Sequence, residues 1–370
     1  MIPRVVLNLA RQLTWCWLLG PSLVWAAERP TVVLEGQARV VVDLRGGSIA
    51  EFRLRDSSLN PLKWGVPSRQ DPENRGFGHF LCLDRWGPPS DAEGARGVPY
   101  HGEAAHVAWE ITQPLEKSAT QAQVEVSAQL PLAGLSIRRQ LRMALAQPVC
   151  RVEEQVTNNR PLGRIYNQVQ HPTIAPPFLD PTTLVDCNGR RGFAQGNPLP
   201  HPEEPSFFWP AALNRDGIAV NLRRLTTNPD PNVVSYAIDE TLGWVTAVTP
   251  GRGLLIGYLW KTTDYPWVSL WRDVRDGAPV ARGLEFGTTG LHQPFSVLTQ
   301  VGRIWERPLF AYLDAGETQT RVYTMFLAEV PLDFEGVERI SLNGTTLTLH
   351  ERRVNSPRQL KIEAGREFWP

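Results

Sequence analysis

The 370-residue chain carries 38 Lys+Arg against 38 Asp+Glu, a formal net charge of zero. Residues 1–27 contain Arg4 and Arg11 and no acid, so the remainder stands near minus two (0 − 2); this argues against nucleic acid or an anionic membrane surface as a partner. The length allows a large apolar core without disulfide staples.

The N-terminal 1–27 segment reads as an export signal. Arg4 and Arg11 give a positive start, an apolar stretch runs through Leu13 to Val24, and Ala26-Ala27 offers small residues for cleavage. The apolar part is short and broken by Gly20-Pro21, so it does not read as a membrane span. Leu13-Thr14-Trp15-Cys16 is a poor lipoprotein box, because Trp15 is too bulky before the cysteine. The expected location is therefore periplasmic or extracellular. Cys82, Cys150 and Cys187 remain after cleavage, and an odd number leaves at least one unpaired or paired between chains.

From there the pattern is β. Stretches such as Gln123–Leu130, Leu135–Met143, Ile218–Leu225 and Thr320–Ala328 alternate apolar and polar residues, with turns at Gly46-Gly47, Asn158-Asn159 and Pro250-Gly251. No convincing amphipathic helix exceeds about three turns. The Pro- and Gly-rich stretch from Arg190 to Pro210 reads as an irregular excursion, because strand character resumes beyond it. The expectation is an all-β chain: one large antiparallel β-sandwich over 28–334, then a hairpin turning at Asn343-Gly344 and a tail over 335–370.

The segment Val98-Pro99-Tyr100-His101-Gly102-Glu103-Ala104-Ala105-His106 has the look of a zinc site. Its histidines are five apart, however, whereas a zincin helix sets them four apart on one face. On a strand, an odd spacing sends them to opposite faces. No metal site is expected here, and the stretch reads as a loop entering a strand, with Glu103 solvated. Asp84-Arg85 and Asp273 beside Arg272 and Arg275 read as surface ion pairs. Nucleophile elbows and phosphate-binding glycine loops are missing from the sequence.

Four stretches in this order carry more information: Gly46-Gly47-Ser48-Ile49; Tyr100-His101-Gly102; Gln170-His171-Pro172 after Asn158-Asn159; and Arg282-Gly283-Leu284-Glu285-Phe286-Gly287-Thr288. Together they resemble the aldose 1-epimerase (galactose mutarotase-like) superfamily over roughly residues 31–330. The resemblance implies a β-supersandwich with a sugar cleft. It implies that His101 holds a sugar hydroxyl, His171 is the general acid and Glu285 the general base, with no metal or organic cofactor. Gln170 stands where the family has asparagine, and Thr173-Ile174 where it has an aromatic pair. For the family's arginine, Arg75 and Arg85 compete; for its sugar-binding aspartate, Asp264 and Asp273 do.

The chemistry suits those residue types. Opening a pyranose takes a proton from the anomeric hydroxyl and gives one to the ring oxygen, and Glu and His can both be tuned to exchange protons near neutrality. Acid and base should then face each other across one cleft, about a sugar ring apart. Trp260, Trp267 and Trp271 precede Glu285 and could stack on sugar faces or fill the core. His292 is a rim candidate and His106 reads as structural or surface; His79, His201, Tyr100 and Trp109 receive no role. Two functions stay open: an epimerase acting on a free sugar or glycan end, and a non-catalytic carbohydrate-binding protein of the cell envelope.

Overall fold

A computed structural model describes residues 30–66, 75–195, 207–224, 227–355 and 358–370. Residues 1–27, read from the sequence as an export signal, and His201 lie outside the described residues.

Two antiparallel sheets face each other. In spatial order the larger runs Thr31–Glu35, Ala38–Asp43, Ser48–Leu54, His79–Asp84, Arg164–Ile174, Ala278–Gly287, Trp267–Arg275, Val233–Ile238, Gly189–Ala194 and Phe207–Phe208, with Ala311–Leu313 beside Arg164–Ile174. The smaller runs Leu184–Cys187, Leu242–Thr249, Leu254–Lys261, Thr318–Glu329, Val149–Asn158, Leu135–Ala144, Gln121–Leu130 and Glu110–Lys117. The sandwich core lies between them. Val124, Val126, Ile137 and Leu141 from the smaller sheet meet Phe52, Leu81, Leu83 and Leu284 from the larger.

The alternation that marks Gln121–Leu130 and Leu135–Ala144 follows from a strand burying one face. Leu254–Lys261 shows no alternation, because both of its faces are covered. Its Leu254, Ile256 and Tyr258 point into the sandwich, whereas Leu255 and Leu259 meet the C-terminal segment. That segment is more than a hairpin and tail. Val337–Asn343 and Thr346–Glu351 turn at Gly344 and are joined by a third strand, Gln359–Glu363. Leu347, Leu349, Ile362, Phe368 and Trp369 then cover the outer face of the smaller sheet.

One polar cluster interrupts the core. Glu154 is fully buried; one of its oxygens accepts from Arg139 Nε at 2.7 Å, the other from the amides of Gln168 and Gln170 at 2.6 Å each. Arg139 also donates to the Gly47 carbonyl and lies over the Trp109 ring at 4.6 Å. Gln170 therefore faces the sandwich interior, where it ties the two sheets together. Cys82, Cys150 and Cys187 are all buried and free. Among the described residues no helix is long and apolar enough to cross a membrane.

Candidate functional site

The site lies on the outer face of the larger sheet, at its centre. Along Arg164–Ile174, Gln168 and Gln170 point inward, so Val169 and His171 point outward. The neighbouring strand runs in register from Gln170↔Phe286 to Thr173↔Gly283, which sets His171 across from Glu285. His171 Nε2 lies 3.2 Å from Glu285 Oε1, and both residues are nearly sealed, at 5% and 1% exposure. This is far closer than the ring-wide gap expected from the sequence. The reason is plain: the two residues are cross-strand neighbours, and adjacent strands are only about 4.8 Å apart.

Each member of the pair is held from behind. Trp86 Nε1 donates to Glu285 Oε2 at 2.6 Å, and His171 Nδ1 lies 3.0 Å from the Thr173 hydroxyl. Thr173 Oγ1 also reaches the His171 carbonyl at 3.4 Å. If that hydroxyl donates to the carbonyl, it accepts from Nδ1–H and leaves Nε2 as an acceptor facing Glu285. Burial raises the Glu285 carboxyl to about 8, against the Trp86 hydrogen bond, and lowers His171 to about 3. At neutral pH the pair therefore holds one proton, resting on the carboxyl.

A cavity of about 440 Å³ opens above the pair. His101, His171, His292 and Glu285 line it, with the aromatic walls of Trp64, Phe80, Trp86, Tyr100 and Trp271. Phe80 stacks on His171 at 4.2 Å and 22°, holding the imidazole plane. His101 and His292 lie 5.4 and 5.6 Å from their histidine neighbours, ring to ring. Burial keeps these imidazoles neutral as well: His101 is well below its usual value and His292 is near 4. The size suits one small polar ligand, and the flat walls suit a sugar's C–H faces. Among the described residues no group of three or more His, Cys, Asp or Glu is placed to hold a metal ion.

The His-Gly dipeptide has a structural reason. His101 sits at φ 66 and Gly102 at φ 79, and Gly102 bridges to Leu83. A Cβ on Gly102 would come within 2.0 Å of the Leu83 carbonyl oxygen. The close approach locks the loop onto the end of His79–Asp84, where His101 and Gly87 exchange hydrogen bonds at 3.0 and 3.1 Å. Gly102→Ala should therefore lose roughly 1–3 kcal/mol of stability and displace His101. Urea unfolding checks the first effect; a loss below about 0.5 kcal/mol would show that the loop relaxes freely.

The structure separates the other candidates. Trp271 reaches the cavity. Trp267 has the same parity but is wholly buried beneath Leu291, Leu298, Ile304, Trp305 and Leu309. Trp260 is core too, stacked on Phe286 at 4.1 Å. Arg85 turns away from the cavity: it binds Asp84 at 2.6 Å and Glu93 at 2.7 Å beside a separate depression. With Arg164 also on Asp84, this is a buried ion cluster and not a surface pair. Asp264 lines another cavity beside Arg321. Asp273 lies two residues beyond Trp271 and binds Arg275 at 2.8 Å, in a pocket next to the first. The backbone of Arg75 pairs with Val66. Glu103, expected in solvent, is 5% exposed and accepts from the Leu132 and Ala133 amides at 3.1 and 2.6 Å.

Trp64, Phe80 and Trp86 carry no signal in the sequence that marks them for the site, and Tyr100, given no role from the sequence, lines the cavity. Phe80 lies in His79–Asp84, buried on both faces, so no alternation marks which residues face the site. Trp86 follows Asp84, whose φ of 84 turns the chain at the strand end. His292, the rim candidate, lies 3.1 Å from the Tyr100 hydroxyl.

No protein-family model and no curated protein matches the chain. Solved structures do. A galactose mutarotase related enzyme from Lactobacillus acidophilus aligns with a TM-score of 0.57 at 11% identity, covering 82% of this chain and 98% of that one. A galactose mutarotase-like protein from Clostridium acetobutylicum gives 0.56 at 13% identity, with 81% and 95% covered. Another from Lactobacillus casei gives 0.53 at 14%, with 81% and 100% covered.

Proposed function

We propose that this chain, which has the galactose mutarotase-like fold, binds a sugar above the Glu285–His171 pair and interconverts its anomers. The observation that carries the reading is the 3.2 Å contact between Glu285 Oε1 and His171 Nε2 at the base of the cavity. The anomeric hydroxyl and the ring oxygen are bonded to one carbon, so a donor and an acceptor side by side match them. Glu285, which carries the proton, gives it to the ring oxygen as His171 Nε2 takes the proton of the anomeric hydroxyl. The ring opens to a neutral aldehyde, leaving a carboxylate beside an imidazolium. After rotation about the C1–C2 bond, the reverse transfers close the ring on the other face. The roles are the reverse of those implied by the family resemblance, because burial favours the uncharged form of each group.

The test is polarimetry of freshly dissolved α-glucose and α-galactose with the protein present. Acceleration of equilibration with either sugar is expected. Binding of these sugars without acceleration would replace the reading with that of a non-catalytic carbohydrate-binding protein, for which the aromatic lining alone suffices.

Trp86 acts on Glu285 and so is a positioning residue. Its hydrogen bond favours the carboxylate, so Trp86→Phe should raise the Glu285 pKa and move the alkaline fall in rate to higher pH. An unmoved pH profile would leave Trp86 as packing only.

The 1–27 pattern supports a reading in which this activity lies outside the cytoplasm. N-terminal sequencing of the protein from its native cells should begin near Glu28; a retained Met1 would overturn the assignment.

A further inference from the structure

The cavity above the pair does not end at Trp271. A second cavity of about 430 Å³ adjoins it, and the two share Trp64 and Trp271 as a common wall. Those rings meet edge to face, 5.8 Å apart at 78°, and each is only half-buried. Trp64 also stacks over Phe80 at 6.0 Å and 24°, and Phe80 over His171, so flat rings lead from the wall to the imidazole. The far chamber combines Lys63, Asp273 and Arg275 with the apolar sides of Pro176, Pro279 and Val280.

Its direction follows from the strand. Ser269 stands across from Glu285, and Trp271 and Asp273 follow along Trp267–Arg275. At about 3.3 Å per residue, Asp273 lies roughly 13 Å along the strand from the level of the pair, farther than one pyranose ring extends. The near chamber has no lysine or arginine among its described lining residues, whereas the far one has an ammonium and a carboxylate–guanidinium pair.

We propose that the substrate is the reducing end of an oligosaccharide, its terminal sugar in the near chamber and its second sugar across the Trp64–Trp271 wall. The proposal rests on the near chamber being a sugar site. A free anomeric carbon must meet Glu285 and His171, so the chain leaves through a non-anomeric oxygen. The second sugar lies against the indoles and offers its hydroxyls to Lys63 and Asp273.

The experiment compares sugars with the same reacting unit: glucose against maltose, cellobiose and lactose, and galactose against β-1,4-galactobiose. Anomer equilibration is followed by polarimetry and binding by tryptophan fluorescence. At least one disaccharide should exceed its monosaccharide in kcat/KM by about tenfold or more, the gain from 1.4 kcal/mol of added contact. The double variant Lys63→Ala/Asp273→Ala should bring that ratio towards one. A ratio near one in the unaltered protein, or a ratio the double variant leaves unchanged, overturns the proposal while the anomer reading stands. If no sugar reacts but a disaccharide quenches fluorescence at about tenfold lower concentration than its monosaccharide, and the double variant loses that difference, the anomer reading fails and the two-chamber site stands. No reaction and no quenching by any of them overturns both.

Discussion

The Glu285→Gln protein should fold normally and equilibrate anomers about 10²–10⁴-fold more slowly than the unaltered chain, the usual contribution of a positioned proton donor or acceptor. Glutamine keeps the shape and can still accept from Trp86, but it has no proton to give the ring oxygen. The same substitution should change the pH dependence of stability in a direction that rules out misfolding. In the folded protein the Glu285 carboxyl lies near 8, against 4.5 for the free group. The folded state therefore holds a proton that the unfolded state releases between those values, so Glu285 makes stability fall as pH rises from about 4.5 to about 8. The full shift corresponds to on the order of 5 kcal/mol, and the glutamine variant should lack that slope. Activity needs the one-proton state of the pair, so the rate should be flat through neutrality and fall about tenfold per pH unit above 8. Urea unfolding at pH 5, 7 and 9, beside polarimetry over the same range, reads both effects. A variant that keeps full activity would dismiss Glu285 from the chemistry.

Glu154→Ala should be the most destabilising single change in the sandwich, by about 3–5 kcal/mol. It removes three hydrogen-bond partners at once and leaves the Arg139 guanidinium buried between the sheets with only the Gly47 carbonyl and the Trp109 ring. Replacing Glu154 and Arg139 together with Leu and Met should cost much less, because no charge is then stranded. Denaturant midpoints of the two variants decide this; equal losses would mean that the pair's own attraction, and not the stranded charge, sets the cost. Gln168 and Gln170 flank Val169 and precede His171, so the cluster also fixes the strand that carries the imidazole.

The sandwich was legible because its strands bury one face and expose the other. Gln121–Leu130 and Leu135–Ala144 announce themselves by alternation. The order of His101, His171 and Glu285 along the chain pointed to a cleft, and the structure brings all three to one cavity. What could not be read was which outward residues stay uncovered. Trp267 and Trp271 share parity, and only the segment packed over Trp267 separates them. The 3.2 Å approach of Glu285 to His171 was equally hidden, because it depends on a register set by strands more than a hundred positions apart in sequence. Glu103 gave no sign of its two amide partners, which belong to a distant turn.

The three-stranded C-terminal sheet imposes an order on assembly. Trp244, Leu255, Leu259 and Phe326 stay bare until Leu347, Ile362, Phe368 and Trp369 arrive to cover them, and those residues are synthesised after every strand they cover. Every partly made chain therefore presents a broad apolar surface on which neighbouring chains can aggregate. Early termination should leave this protein insoluble even when every residue of the cleft has been made.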